Sequence, residues 1–556
     1  MHAKSRGFKA LAIAALMIVC GCAYTPAEPT ATNTEPKPVT RPSFLLIVAD
    51  DLGYSDIGAF GGEIETPNLD RLALSGVRLT SFHASPLCSP TRAMLMTGLD
   101  NHRVGLGTLD NLISPLQQGQ PGYEGYLTDT VPTLAETLAA AGYATMMTGK
   151  WHLGSDEDQI PAARGFERSY VVLEGAHDHF GLDQGGPWEA AGWGTNYRDG
   201  ARAIEYPRGA YSADVFTDEM IGFLSEADPQ APLFAYLAYT QPHWPLQAPD
   251  EAIEKYRGRY DDGPTRLRDR RIQSMKQLGL IPEAMAPADM VGQDDWNRLS
   301  EDERRIEARK MEVYAGMVDR MDWNIGRVID ALEASGRLDS TIIIFLSDNG
   351  PDAGSRTAPP RLSAEVTRTL EIDNSLENMG RPGSYVGYGP AWAQASSPFY
   401  LFKSYPTEGG IRTAAFITGP GLPPGRIEPA FTHVMDVPAT ILDLSGEPVE
   451  ARLTGKSWVD LITGRAAYVH APDSSIGWEV FYRRAIRIGN WKAVYLPAET
   501  SVPFPGSIKT EGWQLFNLDT DPGETTNLAD RHPEKLAELR TAWANYQSEN
   551  GVVLAD

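Results

Sequence analysis

Phe44-Leu45-Leu46-Ile47-Val48-Ala49-Asp50-Asp51 decides how this chain folds. Six consecutive apolar residues without alternation make a strand covered on both faces, as in a parallel sheet between helical layers. The two aspartates that follow stand beyond the carboxyl end of that strand, where open α/β sheets bind ligands. Working outward, Tyr143–Thr148, Leu233–Tyr239 and Thr341–Ser347 read as further buried strands. Helices are expected near Asn68–Ser75, closed by Gly76, and from about Pro132 to Ala141, capped by Thr130 and stopped by Gly142. Two more are expected at roughly 212–227 and 304–335. Strands alternating with helices give an α/β fold with a large, mostly parallel sheet sandwiched by helices. Residues 250–303 and 351–396 read as polar insertions at the rim of the sheet. After about 450 the pattern changes to short strands, Glu479–Ile488, Trp491–Tyr495 and Trp513–Asn517, and a terminal helix from about Pro533. That predicts a smaller C-terminal α+β domain over 451–556, beside a large domain over 43–450.

Composition agrees with a globular chain. Of 556 residues, 42% are hydrophobic and 22% charged. Forty-nine basic residues against 73 acidic ones leave a net charge of −24, which argues against a nucleic-acid partner. Three cysteines, at positions 20, 22 and 88, rule out a disulfide scaffold. The first two belong to a leader. Lys4, Arg6 and Lys9 precede an apolar stretch from Ala10 to Val19, too short to span a bilayer comfortably. Val19-Cys20-Gly21-Cys22 resembles a bacterial lipobox, so residues 1–21 are expected to be a signal peptide and Cys22 the lipidated residue. Cleavage by an ordinary signal peptidase is the alternative. Residues 22–42, rich in Thr, Pro, Ala and Glu, form a flexible tether. The expected placement is exported, periplasmic or at the cell surface, with the membrane reached only through the N-terminal lipid.

Four predicted strands end in polar residues: Asp50-Asp51, Gly149-Lys150-Trp151-His152, Thr240-Gln241-Pro242-His243 and Asp348-Asn349-Gly350. One aspartate after a strand is often just a helix cap; four such ends at one rim point to a site. Asp50, Asp51, Asp348 and Asn349 offer only oxygens, which suits Ca²⁺ or Mg²⁺ better than zinc. Crowded carboxylates would also repel one another unless a divalent ion neutralised them. Arg92, Lys150, His152 and His243 are donors able to hold an oxyanion and move protons.

Cys88-Ser89-Pro90-Thr91-Arg92 opens a predicted helix, with Ser89 as N-cap, Pro90 in the first turn and Gly98 as stop. The positive end of a helix favours a thiolate there, although a lone cysteine is more often a small buried hydrophobe.

Together these residues resemble the type I sulfatases of the alkaline-phosphatase-like superfamily, in the bacterial arylsulfatase branch. Cys88-Ser89-Pro90-Thr91-Arg92 followed by Ala93-Met94-Leu95-Met96-Thr97-Gly98 matches the first signature, and Gly149-Lys150-Trp151-His152-Leu153-Gly154 the second. Asp50-Asp51-Leu52-Gly53, Ser347-Asp348-Asn349-Gly350 and Thr407-Glu408-Gly409-Gly410-Ile411-Arg412 complete the set. Pro242-His243-Trp244-Pro245 and Gly389-Pro390-Ala391-Trp392 look like the arylsulfatase branch, and Asp521-Pro522-Gly523-Glu524 like the family's small domain.

The resemblance implies hydrolysis of sulfate monoesters, with aryl sulfates or sulfated glycans as substrates. It implies that a formylglycine-generating enzyme converts Cys88 to Cα-formylglycine before folding, and that its hydrate attacks sulfur. One Ca²⁺ would be held by Asp50, Asp51, Asp348, Asn349 and modified residue 88. Asp348 would accept the nucleophile's proton; Arg92, Lys150 and Lys403 would hold the diol and sulfate oxygens. His243 would protonate the leaving alcohol, and His152 would take the proton that releases sulfate. Phosphonate or phosphate-diester hydrolysis remains an alternative, as does an unmodified, non-catalytic binder of sulfated glycans. His177-Asp178-His179 reads as a pocket-rim loop rather than a metal pair, and Glu408 as a residue orienting loop backbone. His83, His102, His433, His470 and His532 receive no role.

Overall fold

A computed structural model describes residues 41–497, 508, 510 and 512–554. The leader, Cys22 and nearly all of the tether lie outside the described residues. No helix among those described is long and apolar enough to cross a membrane.

Ten strands form one sheet. Its centre runs Thr341–Ser347, Ser43–Ala49, Leu233–Ala238, Ala144–Lys150 and Arg168–Val172, all parallel. Every residue of Ser43–Ala49, Thr341–Ser347 and Leu233–Ala238 is buried, so helices and loops cover both faces. Full burial of each large apolar side chain contributes about 1.5–3 kcal/mol, which is why these runs specify the centre and not an edge. Ala415–Thr418 joins one side antiparallel and Tyr197–Asp199 the other, making the sheet mixed at its flanks. Register builds the site. Pairing Ala49 with Ser347, and both Val48 and Gly149 with Ala238 or its neighbours, brings Asp50, Asp348 and Lys150 to one rim.

The long helix Glu301–Ala334 starts at a capping box between Ser300 and Glu303, and buries a stripe at Met311, Val318, Ile325 and Leu332. From the same helix Asp322 accepts the backbone N–H of Leu69 at 2.7 Å and of Asn68 at 3.2 Å, capping Pro67–Leu74. Helix Ser212–Glu226 falls where the sequence puts it.

Several local expectations change. Thr133, not Thr130, caps Leu134–Ala140, through a capping box with Glu136. The catalytic-signature helix is Cys88–Thr97, so Leu87 is its N-cap and Ser89 caps nothing; Gly98 closes it in the left-handed conformation, as expected. The rim insertion 250–303 contains a fifteen-residue helix, Gly263–Gln277, whose Arg271 is buried between Asp56 and Glu63. Its polar composition hid it, because its buried face carries arginines. Glu479–Ile488 is two strands, Ser475–Val480 and Arg483–Ile488, joined through Phe481-Tyr482. That pair carries none of the Asn-Gly chemistry by which such turns announce themselves.

With Trp491–Tyr495 and Gln514–Asn517 the hairpin forms a four-stranded antiparallel sheet, against which Leu539, Trp543 and Tyr546 of helix Pro533–Asn550 pack. His102 stitches this unit to the end of the signature helix. Its ring is 2.9 Å from Asp100 Oδ1 and 3.2 Å from Glu479 Oε2, and Tyr546 O–H donates to Asp100 at 2.8 Å.

Burial alone would lower the His102 ring, but the hydrogen bonds to Asp100 and Glu479 outweigh it and raise it to about 9. A folded-state value above the unfolded one stabilises fully below about pH 6.5, and the contribution is lost as pH rises through 9. His102→Gln is therefore expected to cost about 3–5 kcal/mol at pH 6, the usual penalty for breaking a buried pair. Melting curves of wild type and variant should converge toward pH 9.5. A gap that widens with pH would contradict this.

Candidate active site

Beyond the parallel strand ends, three carboxylates meet three cations. Lys150 Nζ lies 2.7 Å from Asp50 Oδ2, and Lys403 Nζ 2.6 Å from Asp51 Oδ1. Arg92 clasps Asp348 Oδ2 through Nε at 3.0 Å and Nη2 at 2.8 Å, and donates Nη1 to the Lys150 carbonyl. All six are buried. The carboxylates are thus already balanced by side chains, and mutual repulsion is not what calls for a metal.

Orphaned oxygens are. Asp50 Oδ1, Asp51 Oδ2 and Asn349 Oδ1 are buried acceptors without a hydrogen-bond partner, while Asn349 Nδ2 donates to Asp51 Oδ1 at 2.6 Å. Leaving such groups unpaired costs about 1–3 kcal/mol each, more when charged, so something must satisfy them. Burial pushes Asp51 up to about 7 despite Lys403, and raises Asp50 despite Lys150. Ligand atoms of Asp50, Asp51, Cys88 and His243 all lie within 4.8 Å of one another. Sulfur and imidazole would suit zinc, but the unsatisfied atoms are hard oxygens, which fit a hard divalent cation. Asp348 contributes its second oxygen to the Asp51 backbone N–H at 3.3 Å. Burial would raise its carboxyl too; Arg92, Lys150 and Lys403 overcome this and hold it below the usual range.

Cys88 is the first residue of its helix, 2% exposed, with Sγ 3.1 Å from Lys403 Nζ. Of the two readings, the buried thiol is the one these surroundings favour. Burial pushes the thiol up to about 12 against the pull of Lys150 and Lys403. An unmodified thiol here is a poor nucleophile.

His152 sits at φ 55°, and Asp51 at φ 65°, a left-handed backbone that non-glycine residues hold only where surroundings impose it. His152 Nδ1 has no partner, and its ring lies over Gly175, where a Cβ would come within 2.3 Å of Cε1. Burial, then Lys150, drives it well below the ordinary histidine range. His243 Nδ1 is 2.7 Å from the Trp244 carbonyl, which can only accept, so that nitrogen carries the proton. Its Nε2 faces Asp51 Oδ2 at 3.5 Å and is the atom free to exchange a proton. Burial, then Lys403, lowers this ring as well.

A cleft of about 730 Å³ opens onto Cys88, His152, His243 and Lys403. Arg92 and Lys150 do not line it; they lie beneath, fixing Asp348 and Asp50. Trp193 and Trp244 form one wall, their ring centroids 6.2 Å apart. Arg356 stacks 4.2 Å above Trp244 and pairs with Asp352. Trp193 and Arg356 escaped the sequence reading because they sit in irregular segments without periodicity. His177 and His179 are buried within hydrogen bonds to Tyr197, Thr240 and Ser212, so this segment is a satisfied polar core and neither a metal pair nor an open rim. Glu408 binds His83 at 3.0 Å and Lys492 at 2.8 Å through its carboxylate; these side chains, not loop backbone, are its partners.

A family model described as Sulfatase matches residues 42–447. The chain belongs to the sulfatase family. It is 46% identical to an uncharacterised sulfatase of Schizosaccharomyces pombe, over 93% of this chain and 95% of that one. It is 36% identical to the arylsulfatase of Klebsiella aerogenes, over 82% and 95% respectively, which supports the bacterial arylsulfatase branch. A solved structure, Ps i-CgsB in complex with k-i-k-neocarrahexaose, superposes with a TM-score of 0.65 at 24% identity, covering 92% of this chain and 93% of that one. That likeness shows the fold. As a sulfatase, the protein is a sulfuric ester hydrolase, and the buried Asp-Asp-Cys-His cluster is the centre its fold assembles.

Proposed function

We propose that this sulfatase hydrolyses aryl sulfate monoesters with Ca²⁺ and a Cα-formylglycine made from Cys88. The observation that carries the reading is the convergence of Cys88, Lys403, His152 and His243 at the floor of one cleft, beside the wall of Trp193 and Trp244. Stacking against such a wall favours a flat leaving group. Lys403, already touching residue 88 and Asp51, holds and orients the sulfate anion. His243, its Nδ1–H fixed on the Trp244 carbonyl, takes up a proton on Nε2 as the anionic ester binds beside it and delivers that proton to the departing oxygen; His152 accepts the proton whose removal frees sulfate. Asp50, Asp51, Asp348 and Asn349 would hold the cation, which supplies Lewis-acid polarisation of the sulfate. Formylglycine supplies a second hydroxyl, so that sulfate leaves by deprotonation rather than by attack of water at sulfur. Because Cys88 is so deeply buried, its oxidising enzyme must reach it in the unfolded chain.

Turnover of p-nitrophenyl sulfate against bis(p-nitrophenyl) phosphate and a phenylphosphonate monoester tests the reading. The sulfate is expected to lead by roughly 100-fold or more in kcat/KM. A faster phosphate diester would assign the site to phosphoryl chemistry. A monosulfated oligosaccharide that outpaces p-nitrophenyl sulfate would overturn the aryl preference.

A further inference from the structure

The turn of the C-terminal hairpin is strained. Phe481 and Tyr482, two bulky aromatic residues, occupy φ 51° and 67°, the left-handed pair that two-residue hairpins normally give to Asn-Gly. Such outliers persist where the surroundings over-determine them, and commonly beside functional groups. Here Phe481 and Val480 pack on Leu87, the residue before Cys88, and Tyr482 O–H donates to Ser114 Oγ at 2.6 Å. The next residue, Arg483, then enters the catalytic body. Its Nη1 donates to the Ser404 carbonyl at 2.6 Å, and its guanidinium lies 3.9 Å from the Tyr405 ring centroid.

Two features show that this contact is not a general fastener. Arg483 is 2% exposed, yet among the described residues no carboxylate forms an ion pair with it. Burying a cation without a counter-charge is unfavourable, and an apolar side chain of similar length would serve packing better. The segment it grips is itself strained, with Leu401 at φ 59° and Ser404 at φ 75° on either side of Lys403. The segment is tied to both halves of the site. Ser404 N–H donates to the Pro86 carbonyl at 2.9 Å and Lys403 N–H to the Pro351 carbonyl at 3.1 Å. Without the Arg483 contact, the left-handed Ser404 would be held from one side only.

We propose that Arg483 is a positioning residue of the reaction: by fixing the Ser404 carbonyl and the Tyr405 ring, it holds Lys403 against residue 88 and Asp51. The C-terminal sheet is then part of the catalytic apparatus. The proposal rests on Lys403 as the residue that holds sulfate, and the experiment separates the two.

The test compares wild type, Arg483→Met, Lys403→Met and the double variant, by kcat/KM and by thermal midpoint. Arg483→Met is expected to lower kcat/KM roughly tenfold to a hundredfold, as displacements near 1 Å do, with a midpoint unchanged or raised. In the Lys403→Met background the same substitution should cause no further loss, because residues acting through one another are non-additive. Losses that multiply, or an Arg483→Met enzyme with wild-type kcat/KM, would overturn the proposal. If Arg483→Met does not fold, Arg483→Lys, which keeps the charge but not the flat stacking surface, should show a smaller loss that likewise vanishes without Lys403; persistence of that loss would count against it. Full activity in Lys403→Met alone would remove the sulfate-binding role beneath it, and the positioning role with it.

Discussion

Cys88→Ala should fold normally and lose turnover by about 10⁴-fold or more, the scale seen when the nucleophile of a covalent mechanism is removed. The side chain is small and sits at the first turn of its helix, so packing loss is modest beside the chemical loss. Cys88→Ser separates the mechanisms. A serine in that place can attack sulfur once, but carries no second hydroxyl to expel sulfate, so the variant should accumulate a covalent sulfo-enzyme, heavier by about 80 Da. Intact-mass measurement also checks the wild type, where conversion of cysteine to the aldehyde removes about 18 Da. A Cys88→Ala enzyme with wild-type turnover would show that residue 88 is not the nucleophile.

The second large effect concerns the metal. Removing the carboxylate of Asp348 altogether would strand the buried Arg92 guanidinium, so Asp348→Ala confounds catalysis with stability. Asp348→Asn also removes the charge that Arg92 faces, but it keeps the shape and an oxygen for the guanidinium to donate to, and its thermal midpoint, read alongside, separates stability from catalysis. It should lose stoichiometric Ca²⁺ by elemental analysis and at least about 10³-fold in turnover, the worth of several kcal/mol of Lewis-acid stabilisation. Chelation of the wild type should reproduce the loss, and Ca²⁺ should restore it. Stoichiometric zinc in active protein would refute the assignment, since the orphaned atoms are oxygens.

Both experiments address residues visible before any coordinates. Phe44–Ala49 and Thr341–Ser347 announce buried parallel strands because an unbroken apolar run has few other destinations in a globular chain, and the residues after them must then reach one rim. The Cys88 and Gly149 signatures are legible for a related reason: donors, nucleophile and strand end are neighbours in sequence. The sequence therefore determined the fold class, the sulfatase reading and the residues that gather at the rim.

Tertiary structure alone decided how those residues divide the work. Arg92 and Lys150 lie beneath the cleft against Asp348 and Asp50, because which face a side chain meets depends on chain from far away in sequence. The thiol of Cys88 is pushed up, not down, because burial is a property of the whole fold and outweighs the pull of Lys150 and Lys403. The aromatic wall of Trp193 and Trp244, the left-handed backbones of Asp51 and His152, and the reach of Arg483 to Ser404 have no periodic or turn signature. Local patterns encode local conformation; desolvation, strain and contacts between distant segments exist only once the chain has closed on itself.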